Sequence, residues 1–305
     1  MRVCSVSIDL DEITCYEAIH GLTSRVECRP IYDTALARAL DFANGAALPL
    51  TLFVVARDLN RAQNVDKLRR AVSLGHEIGN HSLDHLYDLT RQRPHEQSRQ
   101  VAEANSQIHR LLGVKPAGFR APGYTTSDAL MVVLRELGFS YDSSVFSSPA
   151  YYAAKAAALL GMRLRRRESR SILDSLNVLR APTVPYRVGE PYWIRGAGML
   201  ELPIQVVGPL RLPFIGTSVG ILGPRAARLL TRGLTELPFV NLELHGVDFL
   251  DAAELPANLR SVQPDLRLSL SRKVNSLAAV LESLRSKGYT FLRLDEAARA
   301  LSGTG

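Results

Sequence analysis

The run Leu48 to Ala56, LPLTLFVVA, is apolar without interruption and has the length of a strand. A strand with no polar face must be covered on both sides, as in a parallel sheet clothed by helices. Further strand-like runs occur at Arg2 to Ile8, His76 to Ser82, Ala117 to Tyr124, Phe139 to Tyr141, Leu200 to Val206, Phe239 to Leu244 and Tyr289 to Leu294. Helical spacing separates most of them, at Asp33 to Phe42, Val65 to Leu74, Pro94 to Leu112, Ser127 to Leu137, Pro224 to Leu234 and Leu266 to Ser286. A last helix, capped by Asp295, is expected to run to Leu301. This alternation predicts an α/β fold, a distorted or incomplete (β/α) barrel. At 305 residues and 46% hydrophobic, the chain suits one such domain better than several small ones.

From about residue 149 to 198 the alternation lapses, and an inserted segment is expected there. Tyr151 to Leu164 is apolar and helix-forming, and it runs into Arg163, Arg165, Arg166, Arg167 and Arg170. Two readings fit: contact of Tyr151 to Arg170 with a membrane surface, or a solvated helix end. No apolar stretch is long enough for a spanning helix. The opening MRVCSVSID lacks the long apolar core of a secretory leader, so the expected location is cytoplasmic, either soluble or peripheral on the inner face of the membrane. The net charge of +7, carried mostly by arginine, suits phosphate or anionic headgroups. Nucleic acid is not expected, for want of aromatic platforms or a binding motif. Cys4, Cys15 and Cys28 are odd in number and lack Cys-x-x-Cys spacing, which indicates neither a disulfide framework nor a zinc knuckle.

Residues able to do chemistry gather where strands end, the usual place for ligand sites in α/β sheets and barrels. The first strand runs into Asp9, Leu10, Asp11 and Glu12. Such a carboxylate cluster is either a solvated loop entrance or built around positive charge. HEIGNHSLDH places His81 and His85 four residues apart, on one side of a helical turn or tight loop. Together they form either half of a metal site or a pair of capping histidines. AGFRAPGY presents Arg120, which either orients a carboxylate or lies on the surface. FVNLEL ends at His245, with Asp248 and Asp251 close enough in sequence to partner it; a structural role is the alternative.

Taken in order, SIDLDE, HSLDH, RAP at Arg120 to Pro122, and Leu244 with His245 resemble the motifs of the NodB-type polysaccharide deacetylases, the fourth carbohydrate esterase family. The resemblance spans nearly the whole chain. It implies a single deacetylase-like catalytic domain over residues 1–305 and metal-dependent removal of an acetyl or formyl group from an amino sugar. Carried over residue by residue, it makes Asp11, His81 and His85 the ligands of a divalent metal, usually zinc in this family. Asp9 becomes the general base oriented by Arg120, and His245 the acid that protonates the leaving group.

Two departures leave questions open. Asp-Leu-Asp replaces the adjacent aspartates of the common motif, so the division between base and ligand stays open. No match exists to the family's Asp/Trp motif, so the partner of His245 stays open too. The basic, apolar insertion points to a lipid-linked or glycolipid amino sugar as substrate. Two rivals are a metal-independent amide or ureide hydrolase of the same fold and a non-catalytic glycan- or lipid-binding module.

Overall fold

The computed structural model describes residues 2–22, 29–173 and 175–302. Its strands are β1 (Arg2–Asp9), β2 (Leu50–Val54), β3 (Glu77–Asn80), β4 (Gly118–Phe119), β5 (Tyr141–Asp142), β6 (Tyr186–Val188), β7 (Arg195–Glu201), β8 (Val206–Val207), β9 (Leu212–Pro213), β10 (Phe239–His245) and β11 (Tyr289–Phe291). The helices are α1 (Ile13–His20), α2 (Leu36–Gly45), α3 (Ala62–Ser73), α4 (Pro94–Leu112), α5 (Asp128–Glu136), α6 (Pro149–Leu164), α7 (Gly216–Leu230), α8 (Ala257–Val262), α9 (Leu270–Ser286) and α10 (Leu294–Ser302). The main sheet runs β10-β1-β2-β3-β4-β5-β7-β6, and β11 also pairs with β1. Neighbours are parallel except β6 and β7.

Strand β1 organises this sheet. One edge pairs with β10 from Val3↔Phe239 to Asp9↔His245. The other edge is divided, with Arg2 to Cys4 on β11 and Val6 to Asp9 on β2. Side chains alternate across the strand. Cys4, Val6 and Ile8 join the large apolar layer that also holds Leu36, Leu40 and Leu281 from the helices. The other face carries Ser5, Ser7 and Asp9, all buried. Strand β2 divides in the same way: Leu50, Leu52 and Val54 enter that layer, while Phe53 faces a second cluster with Val3, Tyr141 and Phe239.

The curled sheet does not close through backbone pairing between β10 and the far strands. A side chain and isolated backbone contacts, among them a bridge between Ile215 and Glu243, cross the opening instead. Asn241 Nδ2 on β10 donates to Ser143 Oγ and to the Leu202 carbonyl, both at 2.9 Å, and the Gln205 N–H donates to the Asn241 carbonyl at 3.1 Å. The fold is therefore an incomplete (β/α) barrel, as the alternation predicts. At the opposite end from the strand tips, α10 acts as a plug. Its Leu294, Ala297 and Ala298 pack with Phe53 and Phe239.

Several expected boundaries shift for identifiable reasons. Asp295 does not cap α10 but lies in its first turn. Thr51 Oγ1 accepts the Leu294 N–H at 2.9 Å and Glu77 Oε2 accepts that of Asp295 at 3.0 Å, so the barrel itself caps the helix. The expected insertion is not all peripheral: β6 and β7 extend the sheet beyond β5. Gly196 and Gly198 remove the apolar pattern that would have marked β7. The passage before Pro224 is helical, because α7 begins at Gly216 and kinks at Gly223 (φ 77°, ψ 171°). Asp33, where the helical spacing begins, lies inside a π-helical turn, Ile31–Ala35, that leads into α2. Cys4 and Cys15 are buried free thiols, and Cys28 lies outside the described residues.

Gly79 pairs with Phe53 across β2 and β3, and a Cβ added there would lie 2.5 Å from a ring carbon of Phe53. That ring is fully buried and has no room to yield. Gly79→Ala should therefore cost about 1–3 kcal/mol through overpacking, read as a lower chemical-denaturation midpoint. Gly45→Ala, at a site with nothing within 4 Å, should show no such loss.

Candidate active site

The Asp-Leu-Asp spacing has a simple consequence at the end of a strand. The ladder continues one residue past β1, through the Leu10 N–H to the Phe53 carbonyl at 3.0 Å. Leu10 enters the apolar layer, so Asp9 and Asp11 fall on the interior side. Asp11 Oδ1 lies 3.2 Å from His81 Nε2 and 3.2 Å from His85 Nε2. All three residues are buried, and none of these three atoms has a hydrogen-bond partner among the described residues.

The histidines sit in a loop after β3, not on a helix. Ser82 (φ 66°) and His85 (φ 55°) adopt left-handed backbone conformations, which cost of order 1–3 kcal/mol each and persist only where surroundings enforce them. Asn80 supplies part of that enforcement: its Oδ1 accepts the Ser82 N–H at 2.8 Å, and its Nδ2 donates to the Val101 carbonyl. Ser82 Oγ then accepts the His85 N–H at 3.1 Å. His81 Nδ1 donates to the Arg120 carbonyl at 2.7 Å, which leaves the Nε2 lone pair directed at Asp11 and His85.

Buried, unpaired nitrogen and oxygen atoms are costly unless something occupies the space between them. Ligands of a tetrahedral zinc ion, with bonds of about 2.0–2.1 Å, stand about 3.3–3.4 Å apart. The observed 3.2 Å spacing matches, so these residues fit a divalent metal. Burial works against the Asp11 carboxylate, but His85 and His81 outweigh it and hold the group well below the usual carboxylate range. Burial pushes His85 down, toward the neutral form a ligand needs.

Arg120 is the largest fully buried side chain. Its Nη1 donates to Asp9 Oδ1 at 2.7 Å and to Ser7 Oγ at 2.9 Å. Nε and Nη2 donate to the carbonyl and hydroxyl of Ser143, each at 2.9 Å, and the guanidinium lies 4.2 Å from the Phe53 ring centroid. Burial opposes its charge, but Asp9 more than restores it. The second Asp9 oxygen, Oδ2, stands 3.8 Å from His81 Nε2.

His245 approaches from β10, with Nε2 at 3.9 Å from Asp11 Oδ2 and 3.4 Å from the Tyr124 hydroxyl. Neither expected partner touches its ring. Asp248 accepts the His245 backbone N–H at 2.9 Å, and Asp251 takes the N–H groups of Ala253 and Leu270. The ring partner is Glu243, fully buried, with Oε1 at 2.9 Å from His245 Nδ1. It is an ion pair by distance rather than an aligned hydrogen bond. Glu243 belongs to no motif that marks it in the sequence, although residues two apart on a strand share a face. Burial disfavours the imidazolium, but Glu243 outweighs it, with Asp11 and Asp9 adding, and holds His245 well above the ordinary histidine range.

The helix α6 contributes to this site at its beginning. Tyr151 packs on Tyr124 and Phe146, with centroids 5.6 and 4.9 Å apart, so it belongs to the wall beside His245. At the far end of α6 large apolar side chains are open, with Leu160 59% and Leu164 78% exposed.

Residues 30–141 match the sequence model of the polysaccharide deacetylase family. This span contains His81, His85 and Arg120, while Asp9, Asp11 and His245 join them through the fold. The chain is 34% identical over 73 residues to YlxY, an uncharacterized protein of Bacillus subtilis (strain 168); the match covers 24% of this chain and 23% of YlxY, less than a quarter of that relative's length. In structure it is similar to a protein from Mycobacterium smegmatis assigned as a polysaccharide deacetylase, with 17% identity and a TM-score of 0.57, covering 99% of this chain and 91% of that one. A second, similarly assigned, is from Pseudomonas aeruginosa PAO1, with 17% identity and a TM-score of 0.58, covering 97% and 89%. These likenesses show a shared fold.

Removing one member of a buried ion pair leaves the other uncompensated. Arg120→Leu should therefore destabilise the protein by about 3–5 kcal/mol. Adding Asp9→Asn should recover part of the loss, and a double-mutant cycle of denaturation free energies would measure the coupling.

Proposed function

We propose that this chain, which matches the polysaccharide deacetylase family over residues 30–141 and folds as an incomplete (β/α) barrel, is a metal-dependent hydrolase that removes an N-acyl group, acetyl or formyl, from an amino sugar. The observation that carries this reading is the convergence of three buried, unpartnered ligand atoms on Asp11, His81 and His85, spaced 3.2 Å from the shared oxygen. They would hold the metal, and two imidazoles with one carboxylate suit zinc. When bound there, the ion supplies Lewis acidity toward a substrate carbonyl and acidifies a water.

The remaining residues divide the proton transfers. Asp9 has one oxygen held by Arg120 and the other without a hydrogen bond among the described residues, facing His81 Nε2 at 3.8 Å, which supports Asp9 as the base that takes the proton of water and Asp11 as the ligand. Arg120 fixes that carboxylate in direction. His245, protonated against Glu243, presents Nε2 to the site and donates its proton to the leaving amine. Tyr124, Phe146 and Tyr151 exclude water on that side.

The open end of α6 supports a lipid-linked or glycolipid substrate. Leu160 and Leu164 are exposed beside the exposed Arg163, Arg165, Arg166 and Arg167, a pairing suited to an anionic membrane surface. No helix among the described residues is long and apolar enough to cross a membrane. Such contact would be peripheral, on the cytoplasmic face in our reading.

Purified protein assayed for metal and for acyl release from N-acetyl and N-formyl amino sugars tests the whole reading. His81→Ala should lose both bound metal and activity. Full acyl release by metal-free protein would favour the metal-independent alternative and overturn this one. Glu243→Gln should keep its metal while kcat falls by about 10²-fold, the low end of a general acid's contribution; unchanged kcat would remove Glu243 from the reaction.

A further inference from the structure

Beside the metal-ligand group lies a cleft of about 930 Å³, walled in part by His85 and Tyr87. Small-ligand sites span about 300–1,000 Å³, so a sugar and a substituent fit together. The charge around this space is unbalanced. Five arginines, Arg29, Arg57, Arg61, Arg91 and Arg170, face three aspartates, Asp58, Asp84 and Asp88.

The aspartates already have partners. Arg29 lies 3.7 Å from Asp58, Gln100 donates to Asp84 Oδ2 at 2.7 Å, and Gln92 donates to Asp88 Oδ2 at 2.7 Å. The arginines are less well neutralised. Arg61 turns to Asp33 at 3.4 Å. Arg57 donates to the Asp84 carbonyl at 2.9 Å and to Cys15 Sγ at 3.4 Å, both neutral acceptors. Arg91 likewise donates to the Leu173 carbonyl at 2.8 Å.

Arg170 follows a different course from the arginines before it in sequence. The Ser169 hydroxyl donates to the Ile19 carbonyl, and the Arg170 N–H donates to that of Ala18 at 3.1 Å. These bonds lay the segment after α6 against α1 and bring Arg170 to the cleft. Its guanidinium has no partner among the described residues.

We propose that this cleft binds a phosphate-class anion carried by the substrate; the inference rests on the adjacent site being a deacylation centre. Guanidinium groups held by neutral carbonyls keep their charge and most of their donors, and their fork matches phosphate oxygens. Because those carbonyls also restrain the side chains, less freedom is lost when the anion binds. A neutral glycan makes no use of this charge.

The test is calorimetric binding to the metal-loaded full chain, with N-acetylglucosamine, N-acetylglucosamine 1-phosphate and inorganic phosphate as probes. The sugar phosphate should bind at least about tenfold tighter than the sugar, the contribution of one charge-assisted hydrogen bond. The double variant Arg91→Gln, Arg170→Gln should lose that advantage, with affinity for the neutral sugar and thermal midpoint unchanged. Its dependence on these exposed arginines separates the cleft from phosphate binding directly to the metal. Equal affinity for sugar and sugar phosphate, or an advantage that survives in the double variant, overturns the proposal.

UDP-N-acetylglucosamine and a short-chain polyprenyl-phosphate-linked N-acetylglucosamine form two further arms. Arginine-dependent tightening in either supports the subsite and identifies the carrier. Acyl release without phosphate preference removes the subsite alone. Arginine-dependent phosphate binding without acyl release removes the deacylation reading alone.

Discussion

The ion pair between Arg120 and Asp9 is the interaction on which the interior depends. A fully buried guanidinium is tolerable only when its charge and nearly all its donors are answered. Here Asp9, Ser7 and Ser143 take four of the five N–H donors, and the face of Phe53 lies beneath the plane. Those partners come from β1, β2 and the segment after β5, so the side chain crosses the space that a complete barrel would fill with apolar residues. Its own backbone carbonyl meanwhile sets the tautomer of His81. One residue thus orients the candidate base through its side chain and a candidate metal ligand through its main chain.

That dual connection explains why some of the site was legible in the sequence. The alternation Ser5, Val6, Ser7, Ile8, Asp9 shows a strand with one polar face, and the spacing of His81 and His85 shows a pair that can share an ion. Arg120 was legible as an arginine at a strand tip. Its burial was not, because a guanidinium inside a core depends on residues far away in sequence. Glu243 was hidden for the opposite reason. It stands in an apolar strand, FVNLELH, where helical spacing says nothing and the period of two places it beside His245. Glycines concealed other parts of the fold: Gly216, Gly220 and Gly223 with Pro224 break the apparent pattern of α7, and Gly196 and Gly198 that of β7.

The opening in the barrel has its own logic. Strand β10 pairs with no named strand on its outer edge; a backbone bond from Gln205 to Asn241 and an isolated bridge between Ile215 and Glu243 reach it, and the side chain of Asn241 spans the gap to Ser143 and Leu202. Ser143 also accepts from Arg120. The seam is therefore tied to the central ion pair, and Glu243 and His245 project from the strand that borders it. An insertion that begins at α6 and rejoins the sheet at β7 fills the far side, delivering Tyr151 to one wall of the site and Arg170 to another. The arginines that run together in sequence thus lie in two different places, Arg170 on the cleft and the others at the exposed end of α6.

The plug formed by α10 bears on electrostatics as well as on packing. Its Leu294, Ala297 and Ala298 seal the floor under Phe53, and Phe53 is the surface on which the Arg120 guanidinium rests. Water reaching that floor would raise the local dielectric constant and weaken every charge interaction above it. The helix nearest the C-terminus, although it offers no group to the chemistry, thereby sets the medium in which the Asp9 carboxylate is held.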